Sequence, residues 1–380
     1  MKILPNNSCY TLEEIKQQPK LWQKIYYSIK SKKDEINNFL TPLLNNTISR
    51  ILLIGSGASA YVGDTLMPYL SEELKIPVNS IPASEILNNP YTYLKDLSNI
   101  LVILYSRSGN TKETLDALNT CTKLLQNSHF ILVTSNTEGI FSKEYSDKSN
   151  FYILTLPEES NDKGFAMTSS YSCMVLSSVL LFNINNLETQ KLYLEETLVN
   201  SKYILNTIWS DTLNIVRRNP SRVLYVGTSE LKGMSNYCAL NTLKLTNGTV
   251  YSLSWSPSDI NQSIKPFIND NTLIFLFKSV SNPDIDYNKQ FLDIIKTQDK
   301  KPFVIVVSEN SSYLDSCNKC FYVNYKDSIL PNIYLALNYV LYAQIFNYMY
   351  SLHLGLSPDL PYSWHLYVKS SVTIWSTILS

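Results

Sequence analysis

Ile100-Leu101-Val102-Ile103-Leu104-Tyr105 is an apolar run short enough to be a buried strand, and it breaks at once into Ser106-Arg107-Ser108-Gly109-Asn110-Thr111 before a helical pattern opens at Lys112. A strand that ends in a hydroxyl-rich loop against a helix start suits an anion. The first backbone amides of a helix have no partners within it and carry partial positive charge, so a phosphate there is stabilised. Ser106, Ser108 and Thr111 add neutral donors, Arg107 adds a cation, and Gly109 lets the backbone come close. An ordinary turn between strand and helix uses similar residues, so the reading depends on what else the chain carries.

An upstream stretch repeats the pattern. Ile51-Leu52-Leu53-Ile54 is followed by Gly55-Ser56-Gly57-Ala58-Ser59-Ala60 and a helical segment to about Leu74, with a kink expected at Pro68. The two glycines resemble a dinucleotide fingerprint. That fingerprint needs an acidic residue at the end of the next strand to hold a ribose, and Ile81-Pro82 stands there instead. Two hydroxyl-rich loops after neighbouring strands suit a small phosphorylated ligand, with no cofactor, better than a dinucleotide.

Strand and helix patterns alternate onward: a strand near Val78, strand 100–105, helix 112–126, and strands at Phe130–Thr134 and Tyr152–Leu156. That alternation implies a doubly wound parallel sheet covered on both faces. Shifting the chain by 172 residues lays Ile54-Gly55-Ser56-Gly57 on Val226-Gly227-Thr228-Ser229, and Leu101–Tyr105 on Leu273–Phe277. The α/β domain is therefore duplicated. Under Ser106-Arg107-Ser108-Gly109 the shift places Lys278-Ser279-Val280-Ser281, a loop poorer in donors, so one phosphate pocket per chain is expected.

Ahead of the first copy, Thr11 is expected to cap a helix with Glu14 at its third position, and helical periodicity continues, broken near Pro19, to about Leu44. Between the copies, Thr168, Ser169 and Ser170 open an apolar helix, which they can cap while also facing a ligand. From Ser328 to Pro358 there is no charged side chain, yet Asn332, Asn338, Gln344 and Asn347 interrupt the apolar run. It reads as a helix starting at Pro331 and buried between domains or subunits, rather than as a membrane span.

With 32 basic and 32 acidic side chains the net charge is zero, which disfavours nucleic acid or an anionic membrane as the main partner. Six scattered cysteines form no secreted disulfide framework, and Met1–Cys9 has no apolar core of signal-peptide length, so the cytoplasm is the expected compartment. Cys317-Asn318-Lys319-Cys320 is a single C-x-x-C ahead of a strand-like run. With only three histidines in the chain it does not read as a metal or thioredoxin-type site.

Gly55-Ser56-Gly57-Ala58-Ser59 together with Ser106-Arg107-Ser108-Gly109-Asn110-Thr111 resembles the sugar isomerase (SIS) domain, a phosphosugar-binding α/β module. Further stretches resemble the double-SIS tagatose-6-phosphate ketose/aldose isomerases and the related amino-sugar-phosphate deaminating isomerases. These are Thr11–Trp22, Ile81–Pro90, Leu156–Ser170 and Gly355–Asp359. The resemblance implies an α/β fold of two doubly wound parallel-sheet SIS domains, at 46–190 and 205–365, behind an N-terminal helical segment at 1–45 and ahead of a tail at 366–380. It implies a phosphosugar as the small-molecule partner and, together with the uncharged helix, a homodimer or higher homo-oligomer. It places phosphate on Ser56, Gly57, Ser59, Ser106, Arg107, Ser108 and Thr111, and substrate on Thr168, Ser169 and Ser170.

The reaction of such proteins opens a sugar ring and moves a proton between C1 and C2 through an enediol. The resemblance implies a carboxylate on the first helix of the second domain and a histidine on the loop after the next strand. Here Lys244 stands at the carboxylate and Gln262 at the histidine. Glutamine exchanges no proton near neutral pH, and an ordinary lysine offers no acceptor at pH 7. Losing such help costs roughly a hundred- to ten-thousand-fold per group. Two readings stay open. One is an isomerase or deaminating isomerase of a 6-phosphorylated hexose or hexosamine that uses substitutes such as Lys244, Glu159 or His365. The other is a catalytically silent phosphosugar-binding sensor or partner subunit.

Overall fold

The computed structural model describes residues 9–45, 48–279, 286–309, 314–322 and 330–361. His365 and the tail at 366–380 lie outside the described residues, as do Val280 and Ser281 of the second loop.

Two helices open the chain, α1 (Tyr10–Ser31) and α2 (Lys33–Leu44). The expected break near Pro19 does not occur. Proline cannot donate to the carbonyl four residues back, which is that of Ile15. The Gln18 side chain donates to it instead, at 3.1 Å, and the helix runs on. The expected capping box is also absent. Asp359 caps α1 from far along the chain, accepting from the Tyr10 amide (2.9 Å), the Thr11 amide (2.8 Å) and Thr11 Oγ1 (2.7 Å). Glu14 is thereby left to accept from the amides of Lys163 (2.5 Å) and Gly164 (3.0 Å).

Five strands and their crossovers follow: β1 (Arg50–Gly55), α3 (Ala60–Leu74), β2 (Val78–Pro82), the short α4 (Ala83–Asn88) and α5 (Pro90–Leu94), β3 (Ile100–Tyr105), α6 (Lys112–Leu124), β4 (His129–Thr134), α7 (Ile140–Tyr145) and β5 (Phe151–Thr155). All pair in parallel in the order β2-β1-β3-β4-β5. β3 is buried at every position, as expected of a central parallel strand. α8 (Ser169–Phe182), α9 (Leu187–Thr207) and α10 (Trp209–Val216) lead to a second set. It comprises β6 (Arg222–Val226), α11 (Glu230–Leu245), β7 (Tyr251–Trp255), β8 (Thr272–Phe277), α12 (Tyr287–Thr297), β9 (Phe303–Ser308), β10 (Lys319–Tyr322) and α13 (Asn332–His353). Its parallel sheet runs β10-β9-β8-β6-β7, the first order repeated.

The duplication extends to register. Ile54 pairs with Leu104 in the first sheet and Val226 with Leu276 in the second, and both partners are displaced by the 172 residues read from the sequence. Even the tightest backbone approach recurs. A Cβ on Gly55 would sit 2.4 Å from the Ser59 carbonyl oxygen, and one on Gly227 would sit 2.6 Å from that of Leu231.

The described residues form two compact units. One holds 21–161 with 170–191, and the other holds 9–20, 162–169 and 192–361. In the first, the core beneath the sheet includes Leu52, Val102, Leu104, Leu118, Phe130 and Phe141. In the second, α13 is buried against α11 and α10 of its own unit. Its amide side chains find partners there: Asn338 Nδ2 donates to Thr197 O (2.9 Å), Gln344 Nε2 to Tyr237 Oη (2.9 Å), and Asn347 Oδ1 accepts from Thr242 Oγ1 (2.7 Å). That accounts for an uncharged but polar-dotted helix. Among the described residues no helix is long and apolar enough to cross a membrane.

Candidate functional site

In a parallel sheet of this order the crossovers turn opposite ways from β1 and β3, which leaves a crevice beyond their carboxyl ends where such folds bind ligands. Both hydroxyl-rich loops open there. Gly55 pairs with Tyr105, so Ser56 and Ser106 leave the sheet side by side, about 5 Å apart as neighbouring strands are.

Behind β1 the chain can fold back only because position 55 has no Cβ. This places a short 3-10 turn, Gly57–Ser59, directly ahead of α3, with the Ser59 amide donating to Ser56 O at 3.0 Å. Gly57 turns through φ +55°, a left-handed conformation that glycine adopts at little cost. Ser56 Oγ lies 2.9 Å from Thr114 Oγ1 on the first turn of α6.

Behind β3, Ser106 Oγ donates to Thr111 Oγ1 at 3.1 Å. Thr111 makes no side-chain cap of α6, so its hydroxyl does not close off the first-turn amides of that helix. Ser108 Oγ accepts from the Asn110 amide at 3.2 Å. The loop is braced from below. Arg107 O accepts from the Ser135 amide (3.1 Å) and Thr134 Oγ1 (3.2 Å), while Ser108 O accepts from Asn136 Nδ2 (2.8 Å). Gly109, at φ +64°, packs where a Cβ would lie 3.1 Å from Thr134 Oγ1. The structure thus brings Ser56, Gly57, Ser59, Ser106, Arg107, Ser108 and Thr111 to one end of one sheet. Donors on a fixed backbone around a helix start can hold a dianion without reorganising.

Sequence reasoning missed Thr114 and Asn136. Thr114 is fully buried and faces Ser56; its position one helical turn after Thr111 was the available signal. Asn136 holds the loop from the next strand's end, a contact that only the sheet order creates.

Thr168 and Ser169 belong to the other unit. Asp162 meets the start of α8, accepting from the Thr168 amide (2.8 Å), the Ser169 amide (3.2 Å) and the Ser169 hydroxyl. A carboxylate outcompetes a hydroxyl for helix-start amides. Ser170 lies inside the first turn of α8. In the same unit as Asp162, burial and the charges of Asp162 and Asp359 push the Glu14 carboxyl up to about 7, against the lowering pull of the Lys163 and Gly164 amides.

Lys244, on α11, donates from Nζ to Phe165 O at 3.1 Å and lies 4.5 Å from the centre of the Phe165 ring. Gln262 falls in a single π-helical turn, Ile260–Ile264, and its side chain lies outside what is described. Glu159 is ion-paired with Lys24, both about half exposed.

The second copy of the cradle is closed by its own groups. Thr228 Oγ1 lies 2.9 Å from Ser279 Oγ, and Lys278 Nζ lies 2.5 Å from Glu309 Oε1 in a largely buried pair. A cavity of about 530 Å³ opens at the amino ends of β4 and β5, beside Asn119, His129 and Lys148. It lies at the far end of the strands from the loops, and none of the cradle residues lines it.

Residues 46–184 match the SIS domain family. The chain is similar to D-galactosamine-6-phosphate deaminase AgaS of Escherichia coli, with 29% identity over 359 residues, 93% of this chain and 91% of that protein. It is also similar to the enzyme of that name from Shewanella sp. (strain ANA-3), with 30% identity covering 93% and 87%. Among solved structures, tagatose-6-phosphate ketose/aldose isomerase from Escherichia coli superposes with a TM-score of 0.86 at 27% identity, covering 94% of this chain and 97% of that one.

Proposed function

The chain belongs to the SIS-domain family of phosphosugar isomerases and deaminases, and on that footing we propose that the β1/β3 cradle holds the phosphate of a 6-phosphorylated hexose or hexosamine. The observation that carries the reading is the register of β1 and β3, which sets two hydroxyl-bearing loops side by side at the switch point of the sheet. Ser56, Ser59, Ser106, Ser108 and Thr111 supply hydroxyls, Gly57 and the start of α6 supply amides, and Arg107 supplies the counter-charge. Ser170, in the first turn of α8 and in the same unit as the cradle, serves the sugar. Relatives named for galactosamine 6-phosphate and tagatose 6-phosphate make these the first ligands to try.

The enediol step needs a group that accepts a carbon-bound proton, and Lys244 is poorly placed for it. Its ammonium already donates to a carbonyl and faces an aromatic ring, and an ammonium has no acceptor to offer. The reading best supported is phosphosugar binding with the usual proton transfer lost at Lys244 and Gln262. A second reading, turnover through a replacement carboxylate, is favoured by Glu230. It is buried in the first turn of α11, with Oε2 lacking a hydrogen-bond partner.

Proton NMR of purified chain with tagatose 6-phosphate, fructose 6-phosphate and galactosamine 6-phosphate in heavy water separates the two. Broadening of sugar-phosphate signals without deuterium entry at C1 or C2 is expected. Deuterium wash-in that disappears in Glu230→Gln would establish the second reading, and no broadening with any of the three would overturn the cradle.

A further inference from the structure

The C-x-x-C at Cys317 and Cys320 is not used by the phosphosugar reading. Cys317 follows a short 3-10 turn, Leu314–Ser316, and Cys320 lies on β10, the edge strand of the second sheet. Both thiols are half-buried, and they share a hydrogen bond with each other. The turn between them is pinned. The Asn318 amide donates to Val304 O at 3.0 Å, Asn318 Oδ1 accepts from the Val304 amide at 2.7 Å, and Cys320 sits opposite Val306 in the parallel ladder. The hydrogen bond brings the two thiols into contact across a four-residue turn, the proximity that a disulfide requires.

Their surroundings are cationic. Cys317 helps line a cavity of about 300 Å³ together with Arg218, Lys296, Lys301, Asn318 and one acidic residue, Asp315, so the basic groups outnumber the acid. Lys296 donates to Asp315 O at 3.2 Å, which holds its charge beside the turn, and Lys319, paired with Asp211 at 2.6 Å, lies next to Cys320. The Cys320 hydrogen bond, with help from the Val306 and Lys319 backbone and the Lys296 charge, brings Cys317 down to about 7, while the same contact and burial raise Cys320. The other thiols are inert by comparison. Cys121, Cys173 and Cys238 are buried, and burial pushes Cys9 up to about 11.

We propose that Cys317 and Cys320 are a redox site that forms an intramolecular disulfide by exchange with a small anionic disulfide of the glutathione type. The Cys317 thiolate attacks one sulfur of the oxidant, whose sulfur–sulfur bond breaks and releases one thiolate. Cys320 then gives up its proton and attacks the Cys317 sulfur, expelling the second thiolate. Two protein thiols are oxidised and one external disulfide is reduced to two thiols. The basic cavity wall favours a carboxylate-bearing oxidant.

The test incubates the reduced full-length chain with glutathione disulfide near neutral pH, reading intact mass, thiol count after unfolding, and a peptide map. The wild type is expected to lose two of its six thiols without keeping glutathione mass, with residues 317 and 320 linked. Cys320→Ser is expected to keep one glutathione on Cys317. Cys317→Ser is expected to lose thiols about tenfold more slowly or not at all, and Cys9→Ser to match the wild type. Circular dichroism confirms that each variant is folded. A lasting glutathione adduct on the wild type, a cross-link elsewhere, or Cys317→Ser oxidising at the wild-type rate overturns the proposal.

Discussion

Replacing Ser106 by alanine tests whether the chain has one cradle or two. Ser106 is 1% exposed and its hydroxyl donates to Thr111 at 3.1 Å, so the substitution removes a neutral internal hydrogen bond in the free chain and, with ligand bound, the donor that would turn from Thr111 to the proposed phosphate. The internal bond contributes about 1 kcal/mol to folding, whereas a hydrogen bond to a charged group contributes about 1.5–3 kcal/mol. Affinity for galactosamine 6-phosphate or fructose 6-phosphate should therefore fall roughly ten- to a hundredfold, while the melting temperature moves by only a few degrees. The matched control is Ser279→Ala in the second copy. It breaks the 2.9 Å contact with Thr228 and incurs a similar folding cost, but it should leave the dissociation constant within about twofold. Isothermal titration calorimetry reads affinity and stoichiometry together, with one site per chain expected. Equal weakening in the two variants, or an unchanged constant in Ser106→Ala, refutes the reasoning that only the first loop holds phosphate.

Other perturbations separate scaffold from site. Gly55→Ala forces a Cβ to within 2.4 Å of the Ser59 carbonyl oxygen and should lower stability by about 1–3 kcal/mol with loss of phosphosugar binding. Gly227→Ala should melt early by a similar amount yet still bind, a difference that calorimetry and titration of the two proteins will show. Lys244→Met should leave deuterium exchange into the sugar unchanged, because the ammonium it removes holds Phe165 rather than a proton in transit. Glu14 sets a pH dependence. Its folded value, about 7, lies above the ordinary 4.5, so folding takes up a proton in that window and stability falls as pH rises from about 4.5 to 7. The loss should be at most about 3 kcal/mol, and urea titrations of Glu14→Gln, whose side-chain oxygen can still accept from Lys163 and Gly164, should flatten that slope.

Much of this was legible because strands and loops announce themselves locally. The apolar runs at Ile51 and Ile100, and the hydroxyl loops behind them, could be read without any long-range information, and the 172-residue displacement survived intact in the pairing register. What the sequence concealed was which distant group meets which helix end. Thr11 and Ser169 both look like caps, yet Asp359 and Asp162 take the amides, because a carboxylate brought in by the tertiary fold outcompetes a local hydroxyl. Pro19 looked like a break for the same reason. Whether a helix survives a proline depends on what serves the orphaned carbonyl, and here Gln18 does. The uncharged helix at 332–353 announces burial but not its partners, which only the fold supplies: Asn338, Gln344 and Asn347 meet groups of their own unit.

The duplication also explains why one copy can carry the ligand alone. Both copies keep the glycine that lets the loop fold back on its strand, since without it the crossover would clash with its own backbone. The loops themselves have no such constraint. Where the first copy keeps Ser106 beside an uncapped helix start, the second has Lys278, and an amine whose side chain is only 17% exposed is costly unless an opposite charge meets it. Glu309 does so at 2.5 Å, and Thr228 and Ser279 satisfy each other. A dianion entering that loop would have to displace the carboxylate from the lysine and break the hydroxyl pair, losing about as much as it gained. The first loop exacts no such exchange, because its donors point to one another through neutral hydroxyls that a phosphate can take over. Removing the charges should show it: Lys278→Ser with Glu309→Ser clears the second loop of its internal ion pair. If the internal pair is what excludes phosphate there, the double variant should gain a weak second site in the calorimetric titration. A chain that still binds one phosphosugar after that change would mean the second loop is closed by its backbone rather than by its charges.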